Sequence, residues 1–194
     1  MKKQAALSVL TAAVLLIGAL TLQSTSQAAA DATLGKAYFA GGCFWCMEEA
    51  FEKVEGVLSA TSGYMGGTVA NPSYEEVSAG RTGHAESVEV IYDPAKVSYQ
   101  KLLNAFWHNV DPITANAQFC DHGSQYRSAI FFQTDEEKRL SDTSKQTIEQ
   151  ARRFKEPIVT QIVMASQFYP AEEYHQDFYK KNPVRYKFYK YNCG

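Results

Sequence analysis

Cysteine is scarce in this sequence of 194 residues, which contains four cysteines. Only Cys43 and Cys46 lie close together, and no second paired motif completes the four-ligand set of a structural zinc site. Four unevenly spread cysteines also do not form the framework of a disulfide-stapled miniprotein, which a chain of this length does not need. The few cysteines therefore point to chemistry.

The sequence also lacks an excess of positive charge, since its formal net charge is −2. A protein with this balance has no electrostatic footprint for nucleic acid. It has no phosphate-cradling glycine loop of the usual kind and no set of metal ligands. We therefore expect no nucleic-acid partner, no metal and no bound cofactor. Internal repeats, low-complexity tracts and charge blocks are absent too.

Residues 1–30 have the features of a signal peptide. Lys2 and Lys3 precede an apolar run from Ala5 to Leu22, and small residues follow it up to Ala30. Cleavage there predicts a single catalytic domain over residues 31–194, exported to the periplasm or secreted, without stable membrane association. The alternative is an uncleaved membrane anchor, because the run is nearly long enough to span a bilayer.

Strand and helix patterns alternate irregularly along the mature region. This order predicts an α+β fold: a two-layer sandwich, ferredoxin-like, with a mixed sheet flanked by helices and long ordered coil segments. Ser98 and Thr134 are expected to cap helices. The expected strands cover 36–40, 57–64, 87–92, 128–132 and 158–165, the helices cover 44–54, 98–110, 134–154 and 170–181, a long ordered loop covers 111–126, and an alternating aromatic and basic tail covers 184–194.

Cys43 follows the pair Gly41-Gly42 at a predicted strand-to-helix turn. Backbone N–H groups and the helix dipole at such a turn favour an anion, which predicts a lowered thiol pKa. Phe44 and Trp45 place two aromatic rings beside the sulfur. The spacing of Cys43 and Cys46 permits half a zinc site, a thioredoxin-type redox motif, or a catalytic cysteine with a resolving partner.

Three further polar signals separate these readings. Glu86 lies where a loop enters a strand, and a half-buried acid there can hold its proton and deliver it. Tyr74 follows a turn and can donate a hydrogen bond, although a single tyrosine is more often packing. The densest polar cluster is Cys120-Asp121-His122-Gly123-Ser124-Gln125-Tyr126-Arg127-Ser128.

Five segments in register carry a family resemblance: Gly-Cys-Phe-Trp at 42–45, Asn-Pro-Ser-Tyr at 71–74, Gly-His-Ala-Glu at 83–86, Asp-His-Gly-Ser-Gln-Tyr-Arg-Ser at 121–128 and Tyr-His-Gln at 174–176. Together they resemble the peptide methionine sulfoxide reductase A family over nearly the whole mature chain. The resemblance implies thiol-dependent reduction of methionine S-sulfoxide, free or in oxidised proteins or peptides. Separately, we expect the protein to be a monomer.

The resemblance also implies roles for seven residues. Cys43 would attack the sulfoxide sulfur while Glu86 gives a proton to its oxygen. Tyr74 and Tyr126 would hold that oxygen, and Asp121 would orient the array or assist through water. Phe44 and Trp45 would take the substrate methyl group.

The sulfenic acid left on Cys43 would condense with a second thiol. Cys46 lies within bridging range at helical spacing, and Cys193 lies on a tail that could be mobile. We favour Cys193 slightly over Cys46 as this second thiol. The alternatives are that the two act one after the other, or that Cys120 is the second thiol. Regeneration would need a thioredoxin-type dithiol, delivered outside the cytosol by a membrane-linked relay or an exported partner.

Two other functions remain open. A thiol–disulfide oxidoreductase would use Cys43 and Cys46 for exchange, but it does not explain the acid and the two tyrosines in separate loops. A secreted binding domain with an aromatic groove would not need Cys43 at all.

Overall fold

A computed structural model describes residues 33–193, and the expected signal peptide lies outside this range. Six strands form the main sheet, and two short strands form a separate pair. The strands are β1 Gly35–Gly41, β2 Val57–Met65, β3 Ala85–Tyr92, β4 Ala117–Gln118, β5 Asp121–His122, β6 Ser128–Phe132, β7 Gln161–Met164 and β8 Tyr169–Pro170. The helices are α1 Phe44–Glu52, α2 Tyr74–Ser78, α3 Tyr99–His108, α4 Asp135–Gln150, α5 Phe178–Lys181 and α6 Pro183–Cys193.

The main sheet has the strand order β7-β6-β1-β3-β2-β8. Its neighbours are antiparallel except for β6 and β7, which run parallel. The sheet is therefore mixed, and the predicted α+β sandwich of sheet and helices is confirmed. Among residues 33–193, no helix combines the length and apolarity that crossing a bilayer requires.

Aromatic stacking joins the sheet to the helices. The Phe39 ring of β1 lies 4.7 Å from the Phe51 ring of α1 and 5.5 Å from the Phe106 ring of α3, measured between centroids. All three side chains are almost fully buried, and stacked rings contribute beyond their buried area. This core fixes α1, and with it Cys43, against the end of β1.

Two predicted helix starts are confirmed. The Ser98 hydroxyl accepts a hydrogen bond from the Lys101 N–H, and the Thr134 hydroxyl accepts one from the Glu137 N–H. Each side chain satisfies a backbone donor that the first helical turn leaves free. The helix after Thr134 ends at Gln150, four residues before the predicted end at residue 154.

The strand predicted over 158–165 is shorter, because its first residues bond elsewhere. The Val159 N–H donates to the Pro112 carbonyl at 2.8 Å, and the Thr160 hydroxyl bonds that of Ser128. Pairing with β6 therefore begins only at Gln161.

The helix predicted over 170–181 is wrong for most of its length. The side-chain amide of Gln176 accepts a hydrogen bond from the Ser62 N–H and donates one to the Ser62 carbonyl, both at 2.9 Å. It therefore bonds the backbone of Ser62 as a neighbouring strand would. Asp177 then has a φ of +54°, so only Phe178–Lys181 is helical. Tertiary hydrogen bonds override the helical pattern here.

The tail is also not the mobile, alternating segment that we expected. It forms α6, with Tyr186 buried and with Val184, Phe188 and Tyr191 exposed on the other side. A helical face therefore lies against the body of the protein, next to Cys43 and Cys46.

Candidate active site

The turn from β1 into α1 presents Cys43. Gly42 has a φ of +85°, and a Cβ there would lie 2.5 Å from the Gln118 Cβ, so only glycine fits. Cys43 is the N-cap of α1, and its carbonyl accepts hydrogen bonds from the N–H groups of Cys46 and Met47. Its sulfur thus lies at the positive end of the helix, as the sequence predicted.

Glu86 lies at the same helix end. It is the second residue of β3 and is 2% exposed. Its carboxyl accepts a hydrogen bond of 3.0 Å from the Phe44 N–H. Burial raises the pKa of Glu86 to about 8, with further contributions from Asp121 and Cys46, although the Phe44 N–H opposes the shift. At neutral pH this carboxyl holds its proton and can donate it.

The lowered pKa that we predicted for Cys43 is wrong for the resting protein. Burial raises the pKa of the Cys43 thiol, and interaction with Cys46 and the Glu86 charge raise it further. The effect of the helix terminus is outweighed because burial, the largest of these causes, disfavours the charged thiolate. Only the Glu86 contribution disappears when that carboxyl is neutral.

Cys46 has the opposite shift. Interaction with Cys43 lowers the pKa of the Cys46 thiol against the effect of burial, and Tyr186 and Lys190 lower it further. The structure brings the two free thiols together in the first turn of α1. Cys46 is therefore the more acidic thiol of the pair and is placed to attack an oxidised Cys43.

Two tyrosines approach the same point from separate loops. Tyr74 begins α2, and Glu172 fixes its backbone by accepting from its N–H at 2.9 Å. Burial raises the pKa of Tyr74 to about 12, with contributions from Glu86 and Cys43. Burial also raises the pKa of Tyr126, again with Glu86 among the causes. Both phenols keep their protons and can donate hydrogen bonds.

The polar loop is ordered by its own contacts. Gln125 donates to the Ser78 carbonyl of α2 at 2.9 Å, which holds the turn of Tyr126 beside the helix of Tyr74. Asp121 lies on β5 near this turn and contributes to the raised pKa values of Glu86 and both tyrosines. The five predicted catalytic residues are thus brought together by four separate segments.

The two predicted substrate-binding aromatics differ in exposure. Phe44 is 1% exposed and packs within the core, whereas Trp45 is half-buried. The Trp45 ring stacks on Phe178 at 3.7 Å between centroids, and its N–H donates to His175 Nδ1 at 3.1 Å. Trp45 is therefore the aromatic face that a substrate methyl group can contact most readily.

Sequence reasoning missed several residues around the site. The sequence assigns none of them a role, although His175 belongs to the Tyr-His-Gln segment, and tertiary contacts place them at the site: Glu49, His175, Phe178, Tyr186, Tyr189 and Lys190. The three-residue spacing of Tyr186 and Tyr189 on one helical face is the signal that could have identified the tail tyrosines.

The other two cysteines form a disulfide. Cys120 and Cys193 are bonded, with 5.0 Å between their Cα atoms. Cys193, which we favoured as the resolving residue, is therefore held by Cys120 at the end of an ordered helix. A cavity of about 220 Å³ is nevertheless lined by Cys43, Cys46 and Cys193 together.

One group of carboxylates within residues 33–193 has ligand atoms close enough for a cation: Glu48, Glu52 and Asp177. Lys180 pairs with both Glu52 and Asp177, and Glu48 accepts a hydrogen bond from Ser62. Two of the three carboxylates thus share one ammonium group, and the group contains none of the residues around Cys43.

The arrangement suits removal of an oxygen atom from an electrophilic centre. Cys43 supplies a sulfur nucleophile, the neutral Glu86 supplies a proton, and Tyr74 and Tyr126 supply donors for an oxygen. Cys46 stands beside the nucleophile as a second thiol. Thiol–disulfide exchange alone would require neither the acid nor the phenols.

Comparison with known proteins agrees with this chemistry. The family described as peptide methionine sulfoxide reductase matches residues 35–194. The peptide methionine sulfoxide reductase MsrA of Halalkalibacterium halodurans is 51% identical over 154 residues, covering 79% of this chain and 88% of the relative. That of Listeria welshimeri is 49% identical over 162 residues, covering 84% and 92%.

Solved structures are similar as well. Mxr1 from Saccharomyces cerevisiae in reduced form has a TM-score of 0.73 and 31% identity, covering 78% of this chain and 87% of that one. Methionine sulfoxide reductase A of Corynebacterium diphtheriae has a TM-score of 0.70 and 31% identity, covering 80% and 78%.

Proposed function

Because this chain belongs to the peptide methionine sulfoxide reductase family, we propose that Cys43 carries out the family reaction on methionine S-sulfoxide. The Cys43 sulfur attacks the sulfoxide sulfur, and Glu86 protonates the oxygen that Tyr74 and Tyr126 hold. Methionine leaves reduced by two electrons. Cys43 is oxidised by the same two electrons and keeps the oxygen as a sulfenic acid.

The observation that carries this assignment is the buried Glu86 at the helix terminus of Cys43. A sulfoxide oxygen is a poor leaving group until it is protonated, and a carboxyl with a pKa of about 8 holds that proton at neutral pH. Asp121, next to the phenols, orients the array, and Trp45 receives the substrate methyl group with Phe44 behind it.

We propose Cys46 as the thiol that resolves the sulfenic acid. Its thiol is already beside Cys43 and has a lowered pKa, so attack needs no movement of the chain. The Cys43–Cys46 disulfide and one water molecule are the products. Cys193 is bonded to Cys120 and would first have to be released from that disulfide. We therefore propose that Cys193 and Cys120 take no part in resolving the sulfenic acid and act, if at all, in a later exchange.

The disulfide then needs two electrons from a dithiol, and no bound cofactor takes part. A thioredoxin-type reductant is supported by Mxr1 of Saccharomyces cerevisiae, which has been solved in complex with Trx2. In an exported protein this donor would be an exported thioredoxin-like protein or a membrane-linked relay.

A single turnover without reductant tests the function. Reduced protein is mixed separately with the S and R epimers of a blocked methionine sulfoxide, and methionine and thiols are counted. We expect about one equivalent of methionine from the S epimer and matched loss of two thiols, because one attack and one resolution each occur once. If neither epimer gives methionine, the reductase function is wrong and the alternative, thiol–disulfide exchange by Cys43 and Cys46, is favoured.

We propose that the protein is exported as a monomer and that cleavage follows Ala30. The signal-like residues 1–30 and the Cys120–Cys193 disulfide support this, since disulfides persist in oxidising compartments. Intact-mass and size-exclusion measurements on protein from the cell envelope or medium should give a monomer beginning at Asp31. Full-length protein in the cytosolic fraction would contradict export.

A further inference from the structure

The inner face of α6 places a third phenol in the active site. The Tyr189 hydroxyl donates a hydrogen bond to Asp121 Oδ2. Tyr189 also lines the same cavity as Cys43, where it lowers the pKa of the Cys43 thiol. The edge of its ring meets Trp45, with 6.0 Å between centroids. Tyr189 therefore contacts the nucleophile, the acidic residue of the polar loop and the substrate-facing aromatic.

This phenol is held in place by contacts on both sides of it. Lys190 pairs with Glu49 of α1 at 2.6 Å, and the Tyr186 hydroxyl donates to the same carboxylate at 2.7 Å. The Cys120–Cys193 disulfide fixes the end of the helix. A side chain anchored one residue from an ion pair and four from a covalent bond is positioned rather than loosely packed.

We propose that Tyr189 is a further catalytic residue, which donates its phenolic hydrogen to the Cys43 sulfur when that sulfur carries negative charge. In the resting thiol the same hydrogen is donated to Asp121. The donor thus turns from the carboxylate to the sulfur as Cys43 ionises, and Tyr74 and Tyr126 remain free for the sulfoxide oxygen. This rests on the proposed role of Cys43.

The surroundings of Cys43 show why such a donor matters. Burial, Cys46 and Glu86 all raise the pKa of the Cys43 thiol, whereas Tyr189 lowers it. Burial also raises the pKa of Tyr189 itself, so its proton stays available at any working pH. The titratable groups that interact with the sulfur are Cys46, Tyr74, Glu86, Tyr126 and Tyr189. His108, Asp121 and Lys190 line the same cavity as Cys43.

The test compares Tyr189→Phe with Tyr191→Phe, a control on the same helix that removes a hydroxyl from a side chain 90% exposed. Tyr189→Phe keeps the ring that meets Trp45 and loses only the hydrogen bond to Asp121, so a small fall in Tm is expected for this variant and none for Tyr191→Phe. We expect Tyr189→Phe to lower kcat about tenfold with little change in KM, as loss of one hydrogen bond to a charged group does.

The second readout is iodoacetamide alkylation of Cys43 against pH, in a Cys46→Ser background where Cys43 is the single free cysteine beside the intact disulfide. Tyr189→Phe should shift this profile upward by about one pH unit. Equality with Tyr191→Phe in either kcat or the profile overturns the proposal. Alkylation needs no sulfoxide, so failure of the proposed reaction would be seen separately.

Discussion

Glu86→Gln should lower the rate of methionine formation in a single turnover by about 10²–10⁴-fold, the usual contribution of a general acid. The amide keeps the shape of the side chain and can accept from the Phe44 N–H as the carboxyl does. It cannot deliver a proton to the sulfoxide oxygen. The reactivity of Cys43 towards an alkylating agent should survive, because that reaction needs no proton donor.

The difference between the two proteins should depend on pH with a definite sign. A pKa raised to about 8 means that Glu86 is protonated below that pH and ionised above it. The ratio of wild-type to Glu86→Gln rates should therefore be constant below pH 8 and fall about tenfold per unit above it. Taking the ratio removes the effects on Cys43 ionisation that both proteins share. The ionised Glu86 opposes ionisation of Cys43 in the wild type alone, which adds to the fall of the ratio above pH 8.

Glu89→Gln is the matched control, since Glu89 lies on the same strand but pairs with Lys36 at the surface. Glu89→Gln should retain the wild-type rate. The ratio of its rate to that of Glu86→Gln should fall above pH 8 as the wild-type ratio does. A Glu86→Gln variant with a rate within threefold of wild type, or a ratio that does not change with pH, would contradict the assignment of Glu86 as the acid.

Cys46→Ser should abolish sustained turnover while leaving the first reduction intact. The variant should form about one equivalent of methionine and stop with Cys43 as a sulfenic acid, which dimedone traps. Turnover with a thioredoxin-type reductant should fall about a hundredfold or more, because exchange depends on which sulfur is within reach. Mass spectrometry of the adduct measures the trapped state directly.

The paired variant Cys120→Ser/Cys193→Ser separates the two candidate resolving thiols. With Cys46 in place, it should still lose two thiols per methionine formed and give no dimedone adduct. The opposite pattern, with Cys46→Ser resolving normally and the paired variant accumulating sulfenic acid, would assign the step to Cys193 and overturn the proposal for Cys46.

The sequence was sufficient wherever function depends on local chemistry. Gly42 before Cys43 predicted the turn, and Ser98 and Thr134 predicted helix starts. The position of Glu86 where a loop enters a strand predicted a half-buried acid, which the structure buries almost completely. Each of these follows from contacts within a few residues or from a strand that must enter the core. The mixed α+β architecture followed from the order of the elements.

The remaining features depend on contacts between distant segments. Gln176 bonds Ser62 in the manner of a strand, and no local pattern reveals that pairing. The tail was interpreted as alternating because its tyrosines and phenylalanine are all large, although only Tyr186 is buried. The raised pKa of Cys43 likewise depends on the depth of burial and on Glu86, which only the assembled fold supplies.

The bond between Cys120 and Cys193 also concerns the unfolded chain. It closes a covalent ring spanning a sequence separation of 73 residues. In the chain-entropy view such a ring lowers the conformational entropy of the unfolded chain and so stabilises the folded state by about 4 kcal/mol. The ring contains the polar loop, β6, α4 and β7, so nearly half of residues 33–193 lose freedom before the chain folds. Oxidation of this cysteine pair thus changes the free energy of folding, whereas oxidation of Cys43 belongs to the chemistry of the site.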